Sequence, residues 1–325
     1  MSFIQNLSHY HAVGGPKIIS EREINMNRGI KISEICKTFG LTYEGNDIEI
    51  DGLNFCNRPS QYSKILTYVT SGEYVDIIKN NSAVAAIVLD KKNYFQYVMS
   101  LGEKYTYIVC KCPEKIFYDI HDYLYYQKHF YEKYNFVKEI GSDCSIEEGA
   151  IIEDGVKIGN RVVIGHNTVI KRGTTISDDC VIGCNTTIGS EGFQVLRIDG
   201  VNRKVKHCGG VFIDKDVSIG DNTDVCNSLF EGNTHIGKNT KIDNLVHVGH
   251  NVFIGDNAVI TAGTILCGSC VVENQAWIGV NTSILNRVVV GENSKVGMGS
   301  VVTHNVPAAT LVYGVPARIK DHNTM

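Results

Sequence analysis

The sequence predicts a mainly β fold: a parallel β-helix built from six-residue repeats and preceded by a small α+β domain. An isoleucine occupies every sixth position from Ile140 to Ile188 without a miss. The spacing returns from Ile213 to Val225, shifts by one residue near Asn233, and then runs as Ile, Leu or Val from Ile236 to Val302. A period of six matches neither the 3.6 of a helix nor the two of a plain strand. It is the period of hexapeptide β-helix repeats.

Each repeat is expected to form one short strand and one turn. Residues 254–259 are typical: an aliphatic residue for the core, then Gly, Asp and Asn for the turn, then a small residue. Three such strands resemble one triangular coil of the left-handed parallel β-helix known from acyltransferases, so residues eighteen apart should stack at about 4.8 Å. About twenty-four units predict about eight coils. Repeats of this kind build a scaffold, and the chemistry must come from elsewhere.

Composition places the chain among ordinary globular proteins. Its 325 residues can hold two domains, and 43% of them are hydrophobic. A net charge of −4 argues against a nucleic-acid partner. Residues 1–6 do not resemble a secretory signal, and no apolar run approaches the roughly 20 residues that span a membrane. We therefore expect a cytoplasmic protein without a membrane span.

The eleven cysteines do not predict disulfides or a metal centre. Cys144, Cys180 and Cys270 occupy the small-residue position of the repeats, and disulfides are rare in the cytosol. Cys267 and Cys270 have the spacing of a zinc knuckle, but no second pair lies nearby. No metal is expected.

The chain divides into four predicted segments. Residues 1–28 form an N-terminal extension, and residues 29–138 form the α+β domain. Residues 139–306 form the β-helix, which carries an insertion at residues 190–210. Residues 307–325 form a C-terminal tail.

Within the α+β domain, hydrophobic spacing and glycine positions predict two helices and four strands. The elements expected, in order, are a helix at 31–39 that stops at Gly40, strands at 47–50, 64–69, 81–89 and 105–110, and an aromatic-rich helix from 114 to about 129.

The insertion at residues 190–210 interrupts the hexads with the motif Glu191-Gly192-Phe193-Gln194 and a basic segment at residues 203–207. Insertions in solenoids project as loops, often on the binding face. One interpretation is a solvated loop. The other, which we favour, is a loop that folds over a substrate, with Glu191 and Phe193 near the sugar.

Two histidines, His247 and His250, lie three residues apart across a predicted turn. His250 follows the start of a hexad, so its side chain should face outward at a corner. Histidine is the side chain best suited to accept a proton near pH 7. The alternative is a surface histidine without a role.

Residues 242–251 resemble the active-site strand of the UDP-3-O-acylglucosamine N-acyltransferase family of lipid A synthesis. The resemblance implies that His250 is the general base, that His247 supports it, and that Asp243 orients it. It extends from about Gly29 to Gly299 and implies a homotrimer.

The α+β domain carries a second part of the resemblance. Residues 67–74 are similar to the family segment whose two aromatic residues hold the uracil of a sugar nucleotide. The resemblance implies that Tyr68 and Tyr74 stack on a pyrimidine base, and Ser71 stands where the family has asparagine.

Three departures from the family pattern bear on the acyl donor. The sequence ends about twenty residues after the last hexad, so we expect no C-terminal helices for an acyl carrier protein. The tail at residues 312–320 resembles the ending of CoA-dependent sugar acetyltransferases. The family's second functional histidine corresponds to Arg287, next to Asn286, and residues 1–28 have no counterpart.

These departures favour transfer of a 3-hydroxyacyl group from acyl-CoA, as co-substrate and without a cofactor, to the amine of a dTDP- or UDP-linked amino sugar. N-acyltransferases of the anthrose type act in this way on surface-glycan precursors. One alternative is the lipid A enzyme with acyl carrier protein, and another is a non-enzymatic β-helix that binds a partner as a trimer. The base, the sugar and the acyl chain stay open.

The eighteen-residue period places Gly268, Asn286 and His304 one, two and three coils beyond His250 on the same corner, where a pantetheine arm would pass. The N–H of Gly268 is a candidate donor for the oxyanion of the tetrahedral intermediate. Arg318 and Lys320 either meet the CoA phosphates or form a solvated basic tail.

Overall fold

The computed structural model describes residues 28–58, 60, 62–126 and 130–322. The predicted extension at residues 1–28 lies outside this part of the chain, apart from Arg28. The described chain forms two units. The N-terminal unit runs to Glu132 and also includes residues 197–205, and the β-helix unit comprises residues 133–196 and those from 206 onward.

The N-terminal unit is an α/β structure built on a five-stranded sheet. In spatial order the strands are Thr42–Glu44, Thr106–Cys110, Val84–Asp90, Ile65–Tyr68 and Gly52–Leu53. The first strand is antiparallel to its neighbour and the other pairs are parallel. The helices are Ile32–Phe39, Val75–Asn80, Tyr94–Leu101 and Pro113–Tyr126, with a 3₁₀ turn at Gly72–Tyr74 and a small antiparallel pair of Ile30–Lys31 with Glu49–Ile50.

This unit contains the predicted elements and adds two helices and three short strands, Ile30–Lys31, Thr42–Glu44 and Gly52–Leu53, of which the last two form the edges of the five-stranded sheet. The first helix ends at Gly40, whose φ of 63° is the left-handed conformation that glycine adopts without strain. The long helix begins at Pro113 and packs on the sheet through the fully buried Phe117 and Leu124. The two helices that the sequence did not predict, Val75–Asn80 and Tyr94–Leu101, have six and eight residues. The first is too short to show a helical period, and the second is apolar at six of its eight positions, so it has no polar face to reveal one.

Part of the insertion forms a β-hairpin within the N-terminal unit. Strands Val195–Ile198 and Val201–Lys204 are joined by Asp199 and Gly200, both at positive φ, as a tight two-residue hairpin turn requires. Arg203 forms an ion pair with Asp119 at 2.5 Å, pairs with the carboxylate of Asp122, and donates to the carbonyl of Tyr118. This arginine is therefore held on the helix Pro113–Tyr126 and does not belong to a solvated loop.

The β-helix unit consists of three parallel sheets, and each coil contributes one strand to each sheet. Sheet 1 contains Ile151–Ile152, Val169–Ile170, Thr187–Ser190, Asp224–Cys226, His247–Val248, Ile265–Leu266, Ser283–Ile284 and Val301–Val302. Sheet 2 contains Glu139–Ile140, Lys157–Ile158, Thr174–Ile176, Gly210–Ile213, Asn233–Ile236, Phe253–Ile254, Val271–Val272 and Val289–Val290. Sheet 3 contains Ser145–Ile146, Val163–Ile164, Val181–Ile182, Ser218–Ile219, Lys241–Ile242, Val259–Ile260, Trp277–Ile278, Lys295–Val296, Thr310–Gly314 and the antiparallel Ala317–His322.

The register follows the predicted eighteen-residue stacking, except at the two breaks in the repeat. Ile236 pairs with Ile254, which pairs with Val272. Across the insertion, Ile176 pairs with Ile213. At the second break Ile213 pairs with Ile236, twenty-three residues on rather than eighteen, so five extra residues enter there. The extra residues are accommodated in a short loop at residues 227–232. Because five is one less than a full repeat of six, the six-residue frame shifts by one residue there.

The interior is a ladder of aliphatic side chains alternating with small residues. Ile170, Ile254 and Ile278 are fully buried, as are most of their stacked equivalents, whereas Ile140 and Ile146 in the first coil are 41% exposed. Buried threonines between them donate to carbonyls of the next coil, as Thr240 does to Gly255 at 2.8 Å. Cys180 and Cys270 fill the same small position, and burial raises the pKa of the Cys180 thiol to about 11. All eleven cysteines are free, so these thiols are packing residues.

None of the helices in the described residues is long and apolar enough to cross a membrane.

Adjacent isoleucines on one strand test the importance of the inward ladder. Ile152 points inward and is 8% exposed, whereas Ile151 points outward and is 56% exposed. We expect Ile152→Ala to lower the free energy of unfolding by about 2–5 kcal/mol, and Ile151→Ala by less than about 1 kcal/mol. Urea denaturation followed by circular dichroism measures both. Equal losses in the two variants would contradict the inward ladder as the source of stability.

His235 predicts an acid-sensitive contribution to stability. Its ring stacks between Phe212 and Phe253, with centroids 5.4 and 4.8 Å away. Burial lowers the pKa of His235 below its usual 6.5, although Asp214 and Asp256 act in the opposite direction. As the pH falls, His235 therefore becomes protonated in the unfolded chain before it does in the folded protein. The contribution of the neutral His235 ring to the free energy of unfolding is therefore fully present above pH 6.5. It is lost as the pH falls through that value toward the pKa of His235 in the folded protein.

We expect the melting temperature of His235→Phe to fall less than that of the wild type between pH 7.5 and 5.5. His304→Phe, which replaces an exposed histidine, is the matched control and should keep the wild-type pH dependence. Differential scanning calorimetry across this range gives the comparison. Identical pH profiles for wild type and His235→Phe would refute the assignment.

Candidate active site

His250 lies in the turn after the strand His247–Val248, outside the aliphatic ladder but only 9% exposed. The insertion covers it: the ring of His207 meets the His250 ring edge to face, with centroids 5.2 Å apart. Gly192 lies against the ring of His207 and the Cβ of His250. A Cβ at residue 192 would be 2.5 Å from His207 Nε2 and 2.8 Å from His250 Cβ, so only glycine fits. His250 is thus a covered side chain at a corner of the β-helix.

A neighbouring amide selects the tautomer of the neutral His250 ring. His250 Nδ1 lies 3.0 Å from Asn251 Oδ1. That oxygen also accepts from the N–H of Leu229 at 2.9 Å, while Asn251 Nδ2 donates to the hydroxyl of Ser228. The amide orientation is therefore determined, and Nδ1 must donate. The lone pair of the neutral ring then lies on Nε2, which becomes the basic nitrogen.

Gly268 stands beside that nitrogen, as the eighteen-residue arithmetic predicts. A Cβ at residue 268 would lie 2.5 Å from His250 Nε2. The neighbours Cys267 and Ser269 donate their N–H groups to the carbonyls of Ile284 and His250. Within the described part of the chain, the N–H of Gly268 donates to no backbone carbonyl. A basic nitrogen and an available backbone donor therefore occur side by side.

His247 has a carboxylate partner, which the sequence analysis did not identify. His247 Nδ1 lies 3.1 Å from Asp224 Oδ2, and the two residues are paired across adjacent strands of sheet 1. Burial raises the pKa of Asp224, but hydrogen bonds from His247 and Ser190 outweigh it, so the pKa ends below its usual value. A strict eighteen-residue period would place Leu229 beside His247. Asp224 takes this position because the short loop at residues 227–232 shifts the register.

Asp243 does not occupy the position expected of a group that orients the base. Its Oδ1 accepts from the N–H of Asn244 at 2.8 Å and its Oδ2 accepts from the N–H of Ala262 at 3.2 Å. These bonds join two successive turns of the β-helix. The structure instead places Asn251 on His250 and Asp224 on His247.

The short loop at residues 227–232 joins the insertion to the His250 turn. Gly192 N–H donates to Asn227 Oδ1 at 3.4 Å, and Asn227 Nδ2 donates to the carbonyl of Gly209 at 3.1 Å. The same loop supplies Ser228 and Leu229 to the Asn251 amide. The only trace of this loop in the sequence is the shift near Asn233.

The other predicted residues of the β-helix unit are exposed. Glu191 pairs with Lys206 at 3.6 Å, and the side chain of Phe193 is 80% exposed. Asn286 lies on an exposed turn. Arg318 and Lys320 lie on the antiparallel strand Ala317–His322, where Arg318 donates to its neighbouring carbonyl and the Lys320 ammonium lies 5.0 Å from the ring of Tyr313.

In the N-terminal unit the predicted base-binding residues have different surroundings. The ring of Tyr68 packs on Phe117 at 4.9 Å and lies 6.0 Å from Phe55, and its hydroxyl is 3.5 Å from Glu114. Ser71 precedes the 3₁₀ turn Gly72–Tyr74 and accepts from the N–H of Tyr74. Tyr74 is half-buried against the hydrophobic cluster that contains Ile77 and Ile78. Base stacking by the two tyrosines stays a prediction.

Comparison with known families identifies the repeat. A family model described as bacterial transferase hexapeptide (six repeats) matches residues 138–172, 233–268 and 269–304. The chain is 33% identical over 256 residues to the UDP-3-O-acylglucosamine N-acyltransferase of Helicobacter pylori, covering 74% of this chain and 75% of that protein. The enzyme of the same name from Fusobacterium nucleatum is 43% identical over 82 residues, which span 24% of its length.

A solved structure with a similar fold is the UDP-N-acetylglucosamine acyltransferase from Campylobacter jejuni. It shares 25% sequence identity, with a TM-score of 0.46, and the match covers 57% of this chain and 71% of that one.

The Asn251 amide predicts the tautomer of His250. We expect long-range ¹H–¹⁵N correlation spectra to show His250 with its proton on Nδ1, and Asn251→Ala to give a mixture of tautomers. Asn257→Ala is the matched control, because Asn251 and Asn257 have the same left-handed backbone, with φ of 59° and 56°. The control should leave the His250 signals unchanged. A proton on Nε2 in the wild type would rule out Nε2 as the base.

Proposed function

Because the chain belongs to the UDP-3-O-acylglucosamine N-acyltransferase family, we propose that it transfers an acyl group from a thioester to the amine of a nucleotide-linked amino sugar. The observation that carries the proposal is His250, a covered histidine whose basic nitrogen faces Gly268. This arrangement provides a proton acceptor and an oxyanion donor at one point, which acyl transfer requires.

The reaction follows from these two groups. The neutral amine attacks the thioester carbonyl, and the N–C bond forms while the carbonyl oxygen becomes an oxyanion. The N–H of Gly268 donates to that oxyanion, and His250 Nε2 takes the proton from the amine nitrogen. The C–S bond then breaks, and the imidazolium returns the proton to the leaving thiolate, which restores the neutral ring.

The insertion completes this site by excluding water. Gly192 and His207 cover the ring of His250, and a less hydrated site strengthens each hydrogen bond to the developing charge. Asn251 contributes by keeping the proton on Nδ1 throughout the resting state. As a neutral amide, it orients the ring without the charge that the predicted Asp243 would have supplied.

The names of the relatives favour the UDP-linked 3-O-acylglucosamine as acceptor over the dTDP-linked 4-amino sugar. This order reverses the one that the sequence analysis preferred. The dTDP sugar with acyl-CoA is the second candidate, and its support is the C-terminal hairpin, where Arg318 and Lys320 are exposed as phosphate contacts would be. The homotrimer, the cytoplasmic location, the choice of acyl-CoA and the lack of a cofactor stay predictions.

His250→Ala in the full chain tests the proposed base. We expect it to lower kcat by about 10²–10⁴-fold, because general base catalysis contributes that much. His166→Ala is the matched control, because His166 follows Ile164 and Gly165 as His250 follows Val248 and Gly249 but has an exposed side chain, and this variant should act at the wild-type rate. Mass spectrometry of the acylated sugar nucleotide gives the rates. Wild-type activity in His250→Ala would refute the role of His250.

The substrate is tested by crossing two acceptors with two donors. UDP-3-O-acylglucosamine and a dTDP-4-amino sugar are each offered with 3-hydroxyacyl-CoA and with the same acyl group on acyl carrier protein. We expect the UDP sugar to be acylated with the higher kcat/KM. Preference for the dTDP sugar would establish the second candidate, and the absence of N-acylation in all four combinations would refute the proposed function.

A further inference from the structure

Asp224, Cys226 and His247 form a cluster of potential metal ligands on the outer face of sheet 1. Their ligand atoms all lie within 4.8 Å of one another. Asp224 Oδ2 is 3.1 Å from His247 Nδ1 and 3.5 Å from Cys226 Sγ. The proposed acyl transfer does not use Cys226. Cys267 and Cys270, which have the spacing of a zinc knuckle but were not expected to bind metal, do not belong to this cluster.

The β-helix itself brings these side chains together. Asp224 and Cys226 are two residues apart on one strand, so both point away from the inward-facing Val225. His247 is paired with Asp224 on the next strand of the sheet, so its side chain leaves the same face. Cys226 differs in this respect from Cys180 and Cys270, which fill the interior. The backbone of both strands is set by the ladder and need not move to hold a ligand.

We propose that Asp224, Cys226 and His247 bind a divalent transition metal of the zinc class. A tetrahedral zinc ion with Zn–N, Zn–O and Zn–S bonds of normal length has edges of about 3.4 Å between N and O and about 3.6 Å between S and O. The observed 3.1 and 3.5 Å differ from these by a few tenths of an ångström. Imidazole and thiolate are the ligands that such borderline metals prefer, whereas calcium and magnesium prefer oxygen alone.

Charge and protonation also suit a divalent ion. The carboxylate of Asp224 supplies one negatively charged oxygen ligand. Binding releases the thiol proton of Cys226 to solvent and moves the His247 proton to Nε2, so that Nδ1 can coordinate. One carboxylate and one thiolate then neutralise the two charges of the metal. The hydroxyl of Ser190, 3.5 Å from Cys226 Sγ, is placed to donate to the bound thiolate.

The coordination shell has room for an exchangeable ligand. Cys226 is buried, whereas the side chain of His247 is 47% exposed, so the metal is reached from solvent on the His247 side. Three protein ligands leave the fourth tetrahedral position to water or to a small ligand. The site is therefore open, and it shares His247 with the turn that carries His250.

Cobalt spectroscopy tests the site without reference to catalysis. The chelator-treated, reduced full chain is titrated with Co²⁺, and then with Zn²⁺ in competition. We expect one equivalent per chain, tetrahedral ligand-field bands, and a thiolate-to-cobalt charge-transfer band that Zn²⁺ abolishes. Cys226→Ser should remove the charge-transfer band, and His247→Gln and Asp224→Asn should each weaken Zn²⁺ binding at least 10-fold.

Cys184→Ser is the matched control, because Cys184 is a half-buried cysteine of the same β-helix outside the cluster. It should keep the full spectrum and affinity, and circular dichroism confirms that each variant is folded. A charge-transfer band that persists in Cys226→Ser, or zinc affinity that is equal in all variants, would overturn the proposal. Because the readout is metal binding, its failure would leave the assignment of His250 unaffected.

Discussion

The stacking of one coil on the next through the inward aliphatic ladder is the constraint on which the β-helix depends. Each buried isoleucine, leucine or valine lies on its equivalent in the neighbouring coil, and the backbone hydrogen bonds of all three sheets follow from that alignment. Changing the register would expose the ladder and break the hydrogen bonds together. The β-helix unit can therefore vary only at the corners and on the outer faces, which is where its candidate catalytic and metal-binding groups lie.

The two interruptions of the repeat show how a site arises on such a scaffold. Extra residues must leave at a corner and return in register, and both interruptions of this chain do so beside the His250 turn. The insertion supplies Gly192 and His207, and the short loop at residues 227–232 supplies Asn227, Ser228 and Leu229. Direct hydrogen bonds join this loop to the insertion and to Asn251 in the His250 turn. Without these additions His250 would be an exposed corner histidine.

The two histidines of the turn differ in their partners and hence in their chemistry. His250 donates to the amide oxygen of Asn251, which selects the tautomer of the neutral ring. His247 is paired with the carboxylate of Asp224, beside a thiol. The first arrangement suits proton transfer, and the second suits a held positive charge, whether that of imidazolium or of a metal. A separation of three residues in sequence thus gives two distinct environments.

The sequence alone determined the hexad period, the buried ladder, the three central strands and two of the helices of the N-terminal unit, and the pairing of His250 with Gly268, because each depends on local pattern or on a fixed eighteen-residue step. The tertiary structure decided the contacts between residues that are not separated by a multiple of eighteen residues. Asp224 meets His247 only because five extra residues shift the register, and His207 covers His250 only because the insertion returns to that corner. Asp243 was assigned to the base by resemblance, but its carboxylate is used by backbone amides of adjacent turns. Contacts made across insertions leave no periodic signal in the sequence, and for that reason only the folded chain reveals them.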